Sequence, residues 1–292
     1  MSSTRARYRI GLCGLALCGV VAPMSPVFAQ QPSSPTSDVV VVAAGIDVAN
    51  HYVFRGVRQN STGMVAWPFA DFTARVLSSD GPLKRVTVHG GFWNSLNTGD
   101  TGTDGPMASG WYESRLWGGV DFSLGRGVSV GTSYTSYMSP NDLFTTAKEV
   151  GIRVAMNDSQ SSGRAAVHPY ALVAMEIDAA PGVGQLDGGL HAGWYLEVGA
   201  TPGYSGNRVS LTFPIKVGLS LSDYYELGNE DNRFGFASVG GFVSVPLGRA
   251  SKIGRLHARG GLEVMRLGET TRLFNGGDRF QTRASIGVAI GR

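Results

Sequence analysis

Long stretches in which apolar and polar residues alternate constrain this chain more than any other feature. In segment 209–221 every second position from Val209 to Leu221 is apolar, and the positions between include Ser210, Thr212 and Lys216. The same period of two runs through 42–54, 111–124, 149–156 and 280–290. Alternation of this kind is typical of β-strands with two different faces, and helical periodicity is weak throughout. After residue 30 the sequence lacks 18 consecutive apolar residues, so we expect no transmembrane helix.

The alternating runs are long and numerous. Most last about ten residues or more, which suits a tilted strand that crosses a bilayer better than a strand of a soluble domain. The twelve runs fall near 41–57, 63–77, 85–97, 110–125, 127–140, 147–157, 165–178, 188–200, 207–222, 233–246, 252–267 and 279–291. Bacterial outer-membrane barrels have an even number of antiparallel strands, apolar outside and polar inside. The sequence therefore predicts an all-β fold, a transmembrane antiparallel β-barrel of about 12 strands in the bacterial outer membrane.

The connections between runs support a barrel. The longer ones, such as 97–109, 222–232 and 268–278, mostly fall on one side, and 125–127 is a tight turn on the other, whereas 157–164 breaks the parity. Pro68, Pro169 and Pro214 fall inside predicted strands and should mark bulges or strand ends, because proline donates no ladder hydrogen bond. Aromatic pairs near strand ends predict interfacial girdles; they are Tyr52 and Phe54, Phe92 and Trp93, Trp111 and Tyr112, Tyr134 and Tyr137, Trp194 and Tyr195, and Tyr224 and Tyr225.

The N-terminus accounts for the excess of positive charge. Residues 1–29 hold three arginines, no acidic residue, a short apolar run and the small-residue site Val27-Phe28-Ala29, which together predict a cleaved secretory signal peptide. We expect a short polar segment at 30–40 and a single barrel domain at 41–292. Without residues 1–29 the chain has 22 basic and 22 acidic residues and no cysteine, since Cys13 and Cys18 leave with the signal. A disulfide, thiolate chemistry and nucleic-acid binding are therefore not expected.

One short motif resembles a known family. The stretch Tyr52-Val53-Phe54-Arg55-Gly56-Val57-Arg58-Gln59 resembles the TorF family of outer-membrane porins, in which such a stretch closes the first strand. The resemblance continues more loosely through 90–95, 118–125 and 134–140, over the first half of the mature chain. It implies a barrel channel and brings neither catalytic residues nor a known substrate.

The polar faces of the strands supply candidate pore-lining residues of both signs. A mixed-charge lumen would sort solutes weakly, whereas the same charges could instead form ion pairs that fill a narrow closed barrel. The candidates are Asp47, Arg55, Asp71, Arg75, Glu113, Arg115, Asp121, Glu149, Arg153, Glu176, Glu197, Lys216, Arg259 and Arg283.

No constellation in the sequence predicts catalysis, a cofactor or a metal. The five histidines are scattered along the chain, and Ser114, Ser238 and Ser244, taken as lipid-facing, have no histidine two positions away. The pattern favours a porin-like channel for passive diffusion of small polar solutes. A closed outer-membrane barrel with a structural, adhesive or assembly role is the alternative, and a secreted β-sandwich is a third class. Expected partners are outer-membrane lipid, the barrel-assembly machinery and small polar solutes, with oligomers left open. The C-terminal stretch 285–292 fits an assembly signal except for its last residue, Arg292.

Overall fold

A computed structural model describes residues 40–291 except 61, 100–109, 178–190, 229, 252 and 253. The predicted signal peptide and most of the polar segment after it lie outside the described residues. The wall strands are β1 (Val40–Ala49), β2 (Val65–Ser78), β3 (Leu83–Asn97), β4 (Trp111–Leu124), β5 (Val128–Met138), β6 (Ala147–Met156), β7 (Pro169–Glu176), β8 (Trp194–Ala200), β9 (Ile215–Ser222), β10 (Phe234–Ser251), β11 (Gly254–Leu267) and β12 (Phe280–Gly291).

These strands close into a barrel. Each pairs antiparallel with its sequence neighbours, and β12 pairs back to β1 with Val48 opposite Ile286. The predicted fold, a closed 12-strand antiparallel β-barrel, is confirmed. Two short strands, Gly203–Ser205 and Ser210–Thr212, extend the β8–β9 pair, since the second continues the ladder of β9 along β10.

The three prolines interrupt the sheet, as expected. Pro214 separates Ser210–Thr212 from β9, although its carbonyl still accepts a hydrogen bond from Gly240 N at 2.9 Å. Pro169 is the first residue of β7. Beside Pro68, the registered pairs of β2 with β3 jump from Ala66–Leu96 to Phe69–Trp93. Each proline thus lies at a strand end or beside a break in the regular strand pairing, where its lack of an N–H group disturbs the sheet least.

The predicted C-terminal end of the first strand is wrong. The run 41–57 was expected to form one strand that the motif at 52–59 closes, but β1 stops at Ala49. The motif instead folds as a separate two-stranded hairpin, with Val53 opposite Arg58 and Phe54 opposite Val57. Alternation continues across both pieces, so the pattern alone does not show the bend at residues 50–51.

The two faces of the wall differ as a membrane barrel requires. Apolar side chains are exposed on the outer face, among them Ile152 at 52% and Ile286 at 69%, while Arg115 and Glu263 on the inner face are 0% and 1% exposed. A closed antiparallel barrel with an apolar outside and a polar inside is the architecture of bacterial outer-membrane proteins. The chain therefore belongs in the bacterial outer membrane.

The two ends of the barrel are unequal. We call the end where β1 stops the loop end; it carries the connections 50–64, 98–110, 139–146, 177–193, 223–233 and 268–279, the last with the helix Glu269–Phe274. At the opposite turn end lie the turns at 79–82 and 125–127, together with the longer connections 157–168 and 201–214. The connection 157–168 holds the short helix Ser159–Ser162. It is therefore longer than a tight turn, which explains why the expected alternation of long and short connections is broken there. Among the described residues, no helix is long and apolar enough to span a membrane.

Candidate functional site

The hairpin after β1 folds into the barrel at the loop end. We call residues 53–58 the plug hairpin. Its two-residue turn, Arg55-Gly56, has positive φ at both positions, 44° and 87°, as the tight turns that match strand twist require. An ideal Cβ on Gly56 would stand 3.1 Å from Cβ of Phe236, so glycine also allows the close approach to β10.

Arg55 fixes the tip of the plug hairpin to the wall. Its Nη1 and Nη2 donate to the two carboxylate oxygens of Glu149 on β6, at 2.5 and 2.9 Å. Nη1 also donates to the Tyr224 hydroxyl, and the guanidinium carbon lies 3.9 Å from the centroid of the Tyr195 ring. Bidentate pairing and aromatic stacking suit arginine rather than lysine. The buried charge is thus neutralised and held in one orientation.

Tyr52, just before the plug hairpin, makes a second attachment to the wall. Its hydroxyl donates to Glu113 Oε2 at 2.8 Å and accepts from Arg115 Nη2 at 2.8 Å. Arg115 also donates to Glu113 from Nε at 3.0 Å, so these two β4 side chains form a compact pair beneath the tyrosine. The Tyr52 amide donates to Asn60 Oδ1 at 2.7 Å, which closes the base of the loop.

The backbone of the plug hairpin is held by two other loop-end connections. Tyr225 donates its hydroxyl proton to the Arg55 carbonyl at 3.1 Å. Asn275 donates from Nδ2 to the Gly56 carbonyl at 2.8 Å and accepts from the Arg58 amide at 2.9 Å. Three separate connections therefore meet at this turn, and both of its carbonyl groups accept hydrogen bonds from side chains.

Two apolar clusters surround the plug hairpin and close the loop end of the barrel. Tyr52 and Phe54 belong to the first cluster, whose wall members come from β1 to β6; Val53 and Val57 belong to the second, whose members come from β7, β8, β10, β11 and the connection after β9. The wall members are, in the first, Ala49, Val65, Trp67, Trp93, Tyr112, Trp117, Tyr137 and Ala147 and, in the second, Ala174, Tyr195, Tyr224, Tyr225, Phe236, Met265 and Leu267.

These clusters correct the interpretation of the aromatic pairs as girdles. Phe92, Tyr134 and Trp194 are exposed on the outer face, as a girdle requires, and Trp111 is partly exposed, whereas the other members of the predicted pairs are buried. The buried aromatics are Tyr52, Phe54, Trp93, Tyr112, Tyr137, Tyr195, Tyr224 and Tyr225. Neighbouring residues on a strand face opposite sides, so one aromatic of an adjacent pair on a wall strand faces the interior, as Trp93 does beside Phe92 and Tyr195 beside Trp194.

The predicted pore-lining residues all lie inside the barrel, Arg55 on the plug hairpin and the others on the inner faces of wall strands. Several are joined in buried ion pairs below the plug. Arg259 donates to both oxygens of Asp47, and Arg283 donates to Glu263, which also lies 3.7 Å from Lys216. Glu197 accepts from the hydroxyls of Tyr170 and Tyr195 at 2.7 and 2.8 Å, and Glu176 accepts from the Gly193 amide at 2.8 Å.

The charged residues of the inner face differ in how far they are exposed. Asp71, Arg75, Arg153 and Arg259 are partly exposed, whereas Asp47, Glu113, Arg115 and Glu149 nearer the loop end are buried. Asp121 is buried with its carboxylate 3.7 Å from His89 Nε2. The interior therefore combines a packed aromatic closure at the loop end with charged residues below it, some of them buried and some partly exposed.

Two of the three serines considered for catalysis are placed differently from expectation. Ser238 and Ser244 lie on the inner face, and Ser244 Oγ is 3.4 Å from His257 Nδ1 across the β10–β11 pair. That distance exceeds the usual length of a hydrogen bond from a serine to its base.

Outside the membrane span, the turn-end connection 157–168 is organised by Asp158. Its carboxylate accepts from the Val167 and His168 amides, both at 3.0 Å, and lies 3.3 Å from His168 Nδ1. Partial burial raises the pKa of this carboxyl, but the two amide donors outweigh burial and hold the pKa below its usual value. The ionised carboxylate thus keeps residues 158–168 folded back.

Sequence reasoning missed the inner aromatics, although a signal for them was present. Trp93 shares its strand parity with His89, and Trp117 shares the parity of Glu113, Arg115 and Asp121. An aromatic residue on the charged face of an outer-membrane strand should be taken as a lumen residue. In contrast, the partners of Arg55 lie 94 and 169 residues away along the chain, and no local pattern indicates them.

Comparisons with known proteins find likeness in structure only. No family model matches the sequence, and no curated protein matches it, so membership of the TorF family stays a prediction. Among solved structures, the translocator domain of the autotransporter NalP from Neisseria meningitidis is similar over 88% of this chain and 89% of that chain, with 11% identity and a TM-score of 0.43.

Two channel proteins are similar to the same degree. The NanC porin matches over 86% of this chain and 98% of its own, with 10% identity and a TM-score of 0.43. The COG4313 outer membrane channel from Pseudomonas putida F1 matches over 87% and 94%, with 11% identity and a TM-score of 0.45. Likeness at this level does not indicate function, so the fold and location rest on the strands and faces described above.

Proposed function

We propose that this protein is an outer-membrane channel for passive diffusion of small polar solutes, closed at its loop end by the plug hairpin. The supporting observation is that the closing element is a chain connection, not a wall strand. Residues 50–64 join β1 to β2, and the barrel ladder between those strands is complete without them, from Val40–Ala74 to Ala49–Val65. The hairpin can therefore withdraw while the wall stays closed.

The polar character of the attachments supports a movable plug. Arg55, Tyr52 and the Arg55-Gly56 backbone are held by hydrogen bonds and one ion pair, all of which water can replace once the hairpin leaves. Behind the plug the inner face carries charges of both signs, and Asp71, Arg75 and Arg153 among them are partly exposed. A mixed-charge lining favours hydrated polar solutes and gives weak selectivity between anions and cations.

A closed barrel with a structural, adhesive or assembly role is the second candidate function. It is favoured by the packing of both apolar clusters around the hairpin, where Trp67, Arg115 and Tyr195 are fully buried as in a protein core. In that case the loop-end connections, not the lumen, would carry the function, and the ion pairs below the plug would be permanent filling.

Delivery and assembly follow the usual route of such barrels. The N-terminal segment would direct export, and the C-terminal strand would present the chain to the barrel-assembly machinery before lipid surrounds the outer face. The resemblance of residues 52–59 to TorF porins is consistent with this route, and association of barrels into oligomers is compatible with it.

Conductance in planar bilayers tests the proposal. We expect the wild-type protein to show rare or small openings, and a variant with residues 51–60 replaced by glycine and serine to conduct continuously. Arg55→Ala should increase opening, whereas the matched Arg126→Ala, at an exposed turn-end arginine also with positive φ, should not. Folding of each variant is checked by heat-dependent mobility on detergent gels. A folded loop-replacement variant that stays silent would favour the closed-barrel alternative.

A further inference from the structure

Three potential metal ligands converge at the loop end, outside the lumen contacts described above. His191 lies three residues before β8, and Asp223 and Glu226 follow β9. The β8–β9 ladder, with Trp194 opposite Ser222, brings these two connections together. Among the described residues this is the cluster whose histidine and carboxylate ligand atoms all lie within 4.8 Å of one another.

The geometry of the cluster suits a small cation. His191 Nδ1 lies 3.2 Å from Glu226 Oε1, close to the spacing of about 3.3 Å between ligands of a tetrahedral site with bonds near 2 Å. The Glu226 side chain is 2% exposed and the His191 side chain 63% exposed, so one ligand is fixed within the protein and another is open to solvent. Ser222 Oγ donates to Asp223 Oδ2 at 2.6 Å, as groups around metal sites commonly orient ligating carboxylates.

We propose that His191, Asp223 and Glu226 bind a divalent cation of the Zn²⁺ type at the loop end. Imidazole together with carboxylate is a donor set for zinc and related transition metals, whereas Ca²⁺ and Mg²⁺ prefer oxygen alone. The two carboxylates balance the charge of the ion, and a water molecule completes a four-coordinate site that is open to the outside.

The position of the site links it to the closure. Asp223 and Glu226 flank Tyr224 and Tyr225, whose hydroxyl groups bind the side chain and the carbonyl of Arg55. A bound cation joins the 177–193 and 223–233 connections, and it restrains the segment that holds the plug hairpin. Metal binding itself does not depend on whether the barrel conducts, so the proposal is tested separately from the proposed function.

Titration calorimetry of the folded, full mature chain with ZnCl₂ in detergent tests the site. We expect one Zn²⁺ per chain, no comparable binding of CaCl₂ or MgCl₂, and affinity lowered about tenfold or more by His191→Ala or Glu226→Gln. The matched control is His168→Ala, which removes a histidine that is also paired with a carboxylate but lies at the turn end. That variant should bind Zn²⁺ as the wild type does.

X-ray absorption of the wild-type zinc complex gives a second measurement that needs no variant. One imidazole and two carboxylate ligands are expected around the ion. The proposal would be overturned if the folded wild type did not bind zinc or if the ligand set lacked imidazole. It would also be overturned if His191→Ala left zinc binding unchanged or if His168→Ala reduced it equally.

Discussion

Arg55 and Glu149 form a bidentate ion pair across the loop end of the barrel, with N–O distances of 2.5 and 2.9 Å. The two residues come from the connection after β1 and from β6, 94 positions apart in the chain. Both side chains are almost fully buried, so neither charge is compensated by water. The pair therefore joins the plug hairpin to the barrel wall.

Removing the charge of one partner of this ion pair should destabilise the protein. We expect Glu149→Gln to lower the free energy of unfolding by about 3–5 kcal/mol, because the Arg55 charge stays buried without its counter-ion. The double variant Arg55→Met/Glu149→Leu should lose clearly less, since it leaves no buried charge. Urea titrations in lipid vesicles, followed by tryptophan fluorescence, measure both values. Exposed Glu230→Gln is the matched control, and a double variant that loses as much stability as Glu149→Gln would contradict this account.

Gly56 should not tolerate a side chain. Gly56→Ala introduces a Cβ at φ 87°, 3.1 Å from Phe236 Cβ, and we expect a loss of about 1–3 kcal/mol from backbone strain and crowding. Gly276→Ala also introduces a side chain at positive φ, 69°, but with no atom within 4 Å, so its loss should be smaller. The same urea titrations compare the two variants. Equal losses would show that contact with Phe236 is unimportant.

The Asp158 carboxylate in the connection 157–168 should make the free energy of unfolding depend on pH. The pKa of Asp158 is lowered in the folded state, so its contribution is complete above the unfolded value near 3.9 and is lost as the pH falls through the folded value. We therefore expect Asp158→Asn to be less stable than wild type at neutral pH and the difference to vanish in strong acid. Unfolding free energies measured from pH 7 down to pH 2 check this. A difference that grows on acidification would contradict the lowered pKa.

A charged residue on the outer face should destabilise the barrel. Ile152 is 52% exposed on β6, between Gly151 and Arg153 on the inner face. In a bilayer, Ile152→Arg should lower the unfolding free energy by about 2–4 kcal/mol if the residue lies near the midplane. Ile152→Leu keeps the face apolar and should be nearly neutral. Urea titrations in vesicles give both values, and a tolerated arginine would place this face away from lipid.

Charge on the turn-end half of the lumen should control selectivity once the plug is removed. In the variant with residues 51–60 replaced, Arg153→Glu should shift the reversal potential toward cation preference, because Arg153 is partly exposed on the inner face. Arg153→Gln should produce an intermediate shift. Bilayer recordings under a salt gradient measure both. A reversal potential that both variants leave unchanged would show that ions do not pass this residue.

Much of the fold could be predicted from local pattern. Alternation over 149–156 and 280–290 located β6 and β12, and the number of runs equals the number of wall strands. Pro214 marked the break beside β9. The candidate lumen residues could be chosen in the same way, since a polar residue between exposed apolar ones must face inward. The end of β1 could not, because the plug hairpin continues the alternation past Ala49.

The sequence by itself determined the strands, their two faces and their even number, because strand periodicity depends only on neighbours along the chain. Only the tertiary structure decided that the loop end is closed. Closure requires Arg55 to meet Glu149 and Tyr224, and Asn275 to meet Gly56, across separations of 94, 169 and 219 residues. Such contacts depend on the closed barrel, in which β12 pairs with β1 and residues distant in sequence face one another across the lumen.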